Sequence, residues 1–355
     1  MAENLIAGMR VVITGAGLVG SRLAERLVAD GAESVRVVDR ADDRLAGLAD
    51  GVEPRPGDVA DHDSMKREIA GAEIVFHTAG LLEGNDVAAY HRVNHLGTET
   101  VAAAAAAAGA GRMVHVSSVA VYGFATGDLT EDLPITPTAQ AYSQSKSAGE
   151  QAAMRIGAER GLPVTAIRPS GIFGPGSRFF TGTFMKRASR RPIRMVGSGD
   201  GSQPVVFVDD VVDLLVVAAT HRAAPGEVFN CSIDPPPTQR EYVGAYGSLI
   251  GNRSFHGIPA GLIAVAGSIV VPFAKRGTYA RQLPQNLRRI DSRVRFVMDK
   301  AAAVLGWRPR FDVEAGVDAS VPWLLSQGLL DAGRLVGARS PLPAMDPPGA
   351  WSAGE

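Results

Sequence analysis

Tyr142 and Lys146 stand four residues apart within residues 141–154, a stretch that reads as a helix, so both side chains emerge on one face. An ammonium beside a phenol stabilises the phenolate and lowers the phenol's pKa toward working pH, which makes Tyr142 a usable acid/base. Ser118 lies just past an apolar strand segment, at the carboxyl edge where ligands bind in parallel α/β sheets. Its hydroxyl is placed to donate to a substrate carbonyl oxygen or alkoxide. Lysine is scarce here (Lys66, Lys146, Lys186, Lys275 and Lys300 only), so a lysine inside a motif carries information. Together the three groups describe proton transfer at an oxygen-bearing carbon.

A second constellation opens the chain. Thr14-Gly15-Ala16-Gly17-Leu18-Val19-Gly20 follows a short apolar strand and begins a helix. Gly15, Gly17 and Gly20 permit a tight turn and close approach of backbone N–H groups, with those of Leu18 and Val19, to a pyrophosphate at the helix N-terminus. Asp39 ends the second strand, nineteen residues beyond Gly20. A carboxylate there accepts from the adenosine ribose hydroxyls and repels a 2′-phosphate, so NAD is expected rather than NADP. Arg40 acts in the opposite sense, because it can pair with such a phosphate.

The elements that must hold these groups alternate strand and helix. Residues 11–13 are wholly apolar, as in a parallel strand covered on both faces, and residues 19–30 have helical spacing and stop at Gly31. Residues 35–38, 52–55, 74–76, 113–117 and 164–167 read as the following strands. Pro54 and Pro56 would be wrong in a central strand, but the third strand of a doubly wound sheet lies at an edge, where proline is tolerated. The expected class is α/β, a Rossmann-type doubly wound parallel sheet with right-handed crossovers, followed by a smaller, irregular C-terminal substrate domain. The expected boundaries are 9–168 plus 204–230 for the NAD-binding domain and 169–203 plus 231–330 for the substrate domain. Residues 331–355, rich in Gly and Pro, are expected to be a disordered tail.

Composition narrows the function. The chain has 355 residues, with 36 Lys+Arg against 37 Asp+Glu, a balance that argues against nucleic-acid binding. Cys231 is the only cysteine, which fits a reducing, cytoplasmic compartment, and residues 1–10 show no signal-peptide pattern. Residues 257–274 carry no charge but contain Pro259 and Pro272. That is too short a helix to span a bilayer, and it reads as the lining of an apolar pocket, or as shallow membrane contact. The alanines at 102–108 read as a good helix former, or as a thin helix face that lets another helix approach closely.

These residues, in this order, resemble the extended short-chain dehydrogenase/reductases over about residues 9–327. The matching pieces after the glycine turn are Gly57-Asp58-Val59, His77-Thr78-Ala79-Gly80, Asn94-His95-Leu96-Gly97-Thr98 and Val116-Ser117-Ser118-Val119-Ala120-Val121-Tyr122-Gly123. They continue with Tyr142-x-x-x-Lys146, Arg168-Pro169-Ser170-Gly171-Ile172-Phe173-Gly174, Val208-Asp209-Asp210 and Leu305-Gly306-Trp307-Arg308-Pro309. The resemblance implies that Ser118, Tyr142 and Lys146 form the catalytic set, with Lys146 also on the nicotinamide ribose. It places Asp58 and Val59 beside the adenine, Ala79 and Gly80 near the cofactor ribose, and Pro169 with Ser170 at the nicotinamide end. It also implies a homodimer and no metal. One departure stands out: the first two glycines of the turn are one residue closer than is usual in the family, so the first turn should differ in shape.

Within that family, the substrate signatures of sugar-nucleotide epimerases look absent, with Gly171 where they usually carry Asn and Gln203 where they usually carry Arg. Val119-Ala120 replaces the Asp-Glu pair of the 4,6-dehydratases. Arg168-Pro-x-Gly-Ile-Phe-Gly and the apolar stretch look more like the 3β-hydroxysteroid dehydrogenase branch, which acts on a secondary alcohol of a hydrophobic substrate. The alternative is a nucleotide-sugar epimerase using the same Ser118, Tyr142 and Lys146. A third reading is a non-catalytic NAD-binding protein, a class that often loses the Tyr/Lys pair. Two basic clusters, at 186–194 and 275–295, read as solvated faces or as sites for a diphosphate or coenzyme A on the substrate. His91 and His95, at i and i+4, lack the cysteine or HExxH context of a metal site.

Overall fold

The computed structural model describes residues 6–336 apart from 83, 85, 260, 262, 264–286, 288 and 289. Seven parallel strands form the central sheet: β1 (Arg10–Thr14), β2 (Ser34–Asp39), β3 (Val52–Pro56), β4 (Ile74–His77), β5 (Arg112–Val116), β6 (Val164–Pro169) and β7 (Val228–Cys231). Their order is β7-β6-β5-β4-β1-β2-β3, the doubly wound arrangement expected from the sequence. β3 is the edge strand, with Pro54 opposite Val37 and Pro56 opposite Asp39. Ser117 lies just beyond β5, although its N–H still reaches Ile167 O of β6 at 2.7 Å. β6 runs two residues further than its apolar run, because Arg168 and Pro169 pair with Asn230 and Cys231 of β7.

Side chains of successive strand residues separate into two cores. Val11, Ile13, Val35, Val37, Ile74 and Phe76 face Leu23, Leu27, Val211, Leu214 and Trp307. Val12, Val38, Val75 and Met113 face Met65, Ile69, Val101, Ala105, Ala153 and Ile156. Burying each such aliphatic side chain stabilises the fold by roughly 1.5–3 kcal/mol relative to exposure, an upper estimate for a compact unfolded chain. The alanine run falls in the helix Gly97–Ala107, with Ala102, Ala104 and Ala105 buried. The close approach that small residues allow occurs within the chain. A Cβ on Gly149 of the helix Ala141–Arg160 would sit 2.2 Å from Asn94 O.

After β6 the chain builds short two-stranded sheets, pairing Gly171–Phe173 with Val205–Phe207 and Ile193–Val196 with Phe255–Ile258. A third core of Phe173, Met185, Phe207, Tyr242, Tyr246 and Leu324 underlies them. The 305–309 motif docks on the helix Val208–Thr220. Trp307 Nε1 donates to Asp213 at 3.1 Å, while Asp210 accepts from Arg310 N and Phe311 N at 2.9 and 3.1 Å. Burial outweighs those two bonds and pushes the Asp210 carboxyl up to about 7. Residues 331–336 hold a 3₁₀ turn (Ala332–Arg334), and Val336 N donates to Leu249 O. The rest of the tail, and residues 264–274 of the apolar stretch, lie outside the described residues, as do Lys275, Arg276, Arg281, Arg288 and Arg289 of the second basic cluster.

Candidate active site

The glycine turn joins β1 to the helix Leu18–Ala29, and each glycine has its own physical reason. Gly15 has φ +98°, and a Cβ there would lie 2.7 Å from the Ala79 backbone; at Gly20 it would lie 1.8 Å from Gly15 O. These two positions are closed by packing. A Cβ on Gly17, in contrast, would meet nothing within 4 Å. Gly17 is also the helix N-cap and supplies no side-chain cap, and no acidic residue occupies the first turn. The N–H groups of Leu18, Val19 and Gly20 are the first of the helix and have no partner within it, and at its positive end they suit a pyrophosphate.

Asp39 curls back over this turn. Its carboxylate accepts from Ala16 N at 2.8 Å and Ala41 N at 2.9 Å. Arg40, the residue that would pair with a 2′-phosphate, instead reaches Asp58 at 3.4 Å, and Arg92 meets the same oxygen at 2.5 Å. Burial raises the Asp58 carboxyl, but the Ala60 N–H and the two guanidinium groups hold it below its usual range. Val59 packs its side chain into the core beside Gly97 and so presents only backbone to a ligand.

Ser118 caps a 3₁₀ turn, Val119–Tyr122, with Ala120 N donating to Ser118 Oγ at 3.1 Å. Ser118 lies near enough to Tyr142 to hold its phenol down against burial. Ser143 fixes that pair, donating its Oγ to Ala120 O at 2.8 Å while accepting from Thr138 N. Lys146 is buried one helical turn on and donates Nζ to Val116 O at 2.6 Å. Burial pushes its ammonium down to about 8, against the pull of Glu150. The expectation that Lys146 lowers the Tyr142 pKa is not met in this arrangement. Burial raises the phenol above 10, Ser118 opposes the rise, and Tyr90 adds to it. The ammonium serves the Val116 carbonyl instead.

The strands around these groups carry unused polarity. Ser117 Oγ and Ser170 Oγ, at the carboxyl ends of β5 and β6, are buried without a partner, as are both ring nitrogens of His115. Gly80 lies close by, since a Cβ on it would come 3.9 Å from Lys146 Nζ. Pro169 ends β6 against Cys231. Orphaned hydroxyls at one end and an open helix terminus at the other fit an extended dinucleotide laid across the carboxyl edge.

Three supports were not singled out as site residues in the sequence. Asn94, in the π-helical turn His91–Leu96, clamps Leu81 through both its N–H and its carbonyl and donates to Ser145 at 3.1 Å. His77 bridges Thr14 and Thr98 at 2.6 and 3.0 Å and stacks on His115. Burial and the Lys146 charge hold His77 down at about 3, so it is neutral. Because only His77 satisfies partners, His77→Leu is expected to cost about 2–3 kcal/mol and His115→Leu no more than about 1 kcal/mol. Urea denaturation of the two variants checks this, and equal costs would contradict it. The third support is the buried pair Glu150–Arg168, at 2.6 Å. Glu150 follows Lys146 by one further helical turn, and that spacing of a carboxylate on the buried face was the available signal.

His91 and His95 bond to each other at 3.2 Å, and no group of three His, Cys, Asp or Glu residues able to hold a metal occurs among the described residues. None of their helices is long and apolar enough to cross a membrane.

Comparison with known proteins places this geometry. The profile of the "NAD dependent epimerase/dehydratase family" matches residues 11–232. A 4-hydroxy-2-methyl-3-oxo-4-farnesyl-3,4-dihydroquinoline-1-oxide ketoreductase of Stigmatella aurantiaca is 32% identical over 66% of this chain and 71% of its own. A 3 beta-hydroxysteroid dehydrogenase/Delta 5→4-isomerase of Mycobacterium tuberculosis (strain CDC 1551 / Oshkosh) is 28% identical over 89% of this chain and 92% of its own. Among solved structures, MoeE5 in complex with UDP-glucuronic acid and NAD is 26% identical, with a TM-score of 0.71, covering 90% of this chain and 99% of that one.

Proposed function

The chain belongs to the NAD dependent epimerase/dehydratase family, and we propose that it is an NAD-dependent oxidoreductase acting on a secondary alcohol or ketone of a hydrophobic substrate. The observation that carries this reading is at Gly171, immediately after Ser170. A Cβ there would lie 2.4 Å from the ring of Phe180, so the space a side chain would take is filled by an aromatic face. Phe179 stacks edge-on against Phe180 and is 51% exposed, and Leu82 is 53% exposed. An apolar wall beside the nicotinamide end favours a ligand held by burial of hydrocarbon. The farnesylated substrate in the name of the Stigmatella relative and the steroid in that of the Mycobacterium relative support the same class.

NAD, when bound, supplies the hydride acceptor or donor. Gly15, Gly17, Leu18, Val19 and Gly20 would hold its pyrophosphate, Asp39 its adenosine ribose, and Ala79, Gly80, Lys146, Pro169 and Ser170 its nicotinamide half. In the oxidative direction Ser118 orients the substrate hydroxyl and Tyr142 takes its proton; in reduction Tyr142 returns it. Lys146, held on Val116 O, positions the ribose. Residues 9–168 plus 204–230 then form the cofactor domain, and 169–203 plus 231–330 the substrate domain. A homodimer, as the family resemblance implies, and a reducing cytoplasm complete the reading, with the single cysteine as support for the compartment alone.

The rival is a nucleotide-sugar epimerase, favoured by the UDP-glucuronic acid and NAD that MoeE5 holds. Denaturing freshly purified protein and quantifying released dinucleotide separates the two. An enzyme of net oxidoreduction exchanges its cofactor each turnover, so substoichiometric NAD is expected, followed by turnover in a screen of sterols and other hydrophobic secondary alcohols. Near-stoichiometric NAD with turnover of nucleotide sugars would overturn the proposal in favour of epimerisation. Release of NADP would overturn the role given to Asp39.

A further inference from the structure

We propose that Tyr90 is a positioning residue of this site: its hydroxyl fastens residues 82 and 84 while its ring braces the edge of Tyr142, so that it shapes the substrate side of the acid/base. The role rests on Tyr142 being the acid/base of the proposed reaction.

Tyr90 ends a short helix, Val87–Tyr90, whose N-terminus Asp86 caps through Ala88 N and Ala89 N. The side chain is buried. Its hydroxyl donates to Leu82 O at 3.0 Å, with Gly84 O at 3.3 Å. Its ring meets Tyr142 in a T-shaped contact, centroids 6.3 Å apart at 75°. Asn94 lies four residues further along the continuing helix and grips Leu81 through N–H and carbonyl. One helical face therefore clamps the segment after Gly80 at two points. The Asn94 clamp lies beside Gly80 and Lys146, on the cofactor side. The Tyr90 clamp lies against Tyr142, and between the two Leu82 turns an exposed apolar side chain outward. A phenylalanine would supply the ring without the tether, and an aliphatic residue neither. Tyrosine supplies both.

Two variants separate these contributions. Tyr90→Phe keeps the ring and removes the bonds to 82 and 84; Tyr90→Leu also removes the ring. Hydrogen exchange is expected to accelerate about tenfold or more at residues 81, 82, 84 and 86 in both, with the central sheet unchanged. Titration of Tyr142 by ultraviolet absorbance, taken as the difference from Tyr142→Phe in each background, is expected to move to lower pH, and furthest in Tyr90→Leu. With a 3β-hydroxysteroid or another alcohol turned over by the wild type, KM for the alcohol should rise about tenfold while KM for NAD stays within about twofold. Unchanged exchange at 81, 82, 84 and 86, an unmoved Tyr142 titration, or protection lost throughout the sheet would each overturn the proposal, the last by showing a merely structural role. Should no alcohol be turned over while exchange and titration shift as expected, the reaction assigned above fails and the placement of Tyr90 stands.

Discussion

Tyr142→Phe is expected to lower turnover by about a thousandfold or more while leaving NAD affinity within about twofold. The hydroxyl is the only group removed, and it is the one whose pKa Ser118 holds down. The groups offered to the dinucleotide stay in place, because Lys146 is anchored by Val116 O and the glycine turn lies at the far end of the sheet edge. Steady-state kinetics with a titration of NAD binding checks both halves. Near-normal turnover would remove Tyr142 from the chemistry. Burial holds the phenol above 10, so in the wild type the oxidative rate should rise with pH as the phenol becomes easier to deprotonate, and reduction should be favoured at lower pH.

Breaking the Glu150–Arg168 pair carries the largest expected cost in stability. Arg168 gives Nε and Nη2 to Glu150 at 2.6–3.2 Å, and Nη1 to Tyr122 Oη at 2.8 Å, with its guanidinium over the Tyr122 ring. Tyr122 passes the interaction to Asn230 Oδ1 at 2.7 Å, and Asn230 N donates to Glu131. Both ions are buried, so either removal strands the other charge away from water. Glu150→Leu or Arg168→Leu should each cost about 3–5 kcal/mol, and the double variant less than either alone. Urea denaturation measures all three, and a single-variant cost below about 1 kcal/mol would refute the account. Turnover should fall as well, because Tyr122 closes the turn that Ser118 begins.

Long-range architecture was legible where backbone constraints leave a mark on residue type. The doubly wound order put β3 at the edge, where Pro54 and Pro56 are tolerated, and the spacing of Gly15, Gly17 and Gly20 located the phosphate turn because no other residue fits two of those three positions. Tyr142 and Lys146 were legible because helical periodicity alone puts them together. β7 was not read as a strand, since four residues are too few to show a period and its place depends on Arg168 and Pro169 across the gap. Tyr90, Asn94 and Ser143 were missed as site residues for a related reason. Their partners are backbone atoms of a loop or turn, which no side-chain pattern records. The Tyr142 pKa went wrong in direction because spacing predicted proximity to Lys146 but not the competing carbonyl of Val116.

The prolines of β3 reach beyond the monomer. Pro54 and Pro56 have no N–H to offer, and the strand's outer half is exposed, so this border of the sheet lacks the row of donors that would recruit a foreign strand. The opposite border, β7, is four residues long with its last three buried. Neither side is a template for sheet extension. Among the described residues, the central sheet therefore resists the edge-to-edge pairing between copies that leads exposed sheets toward fibres.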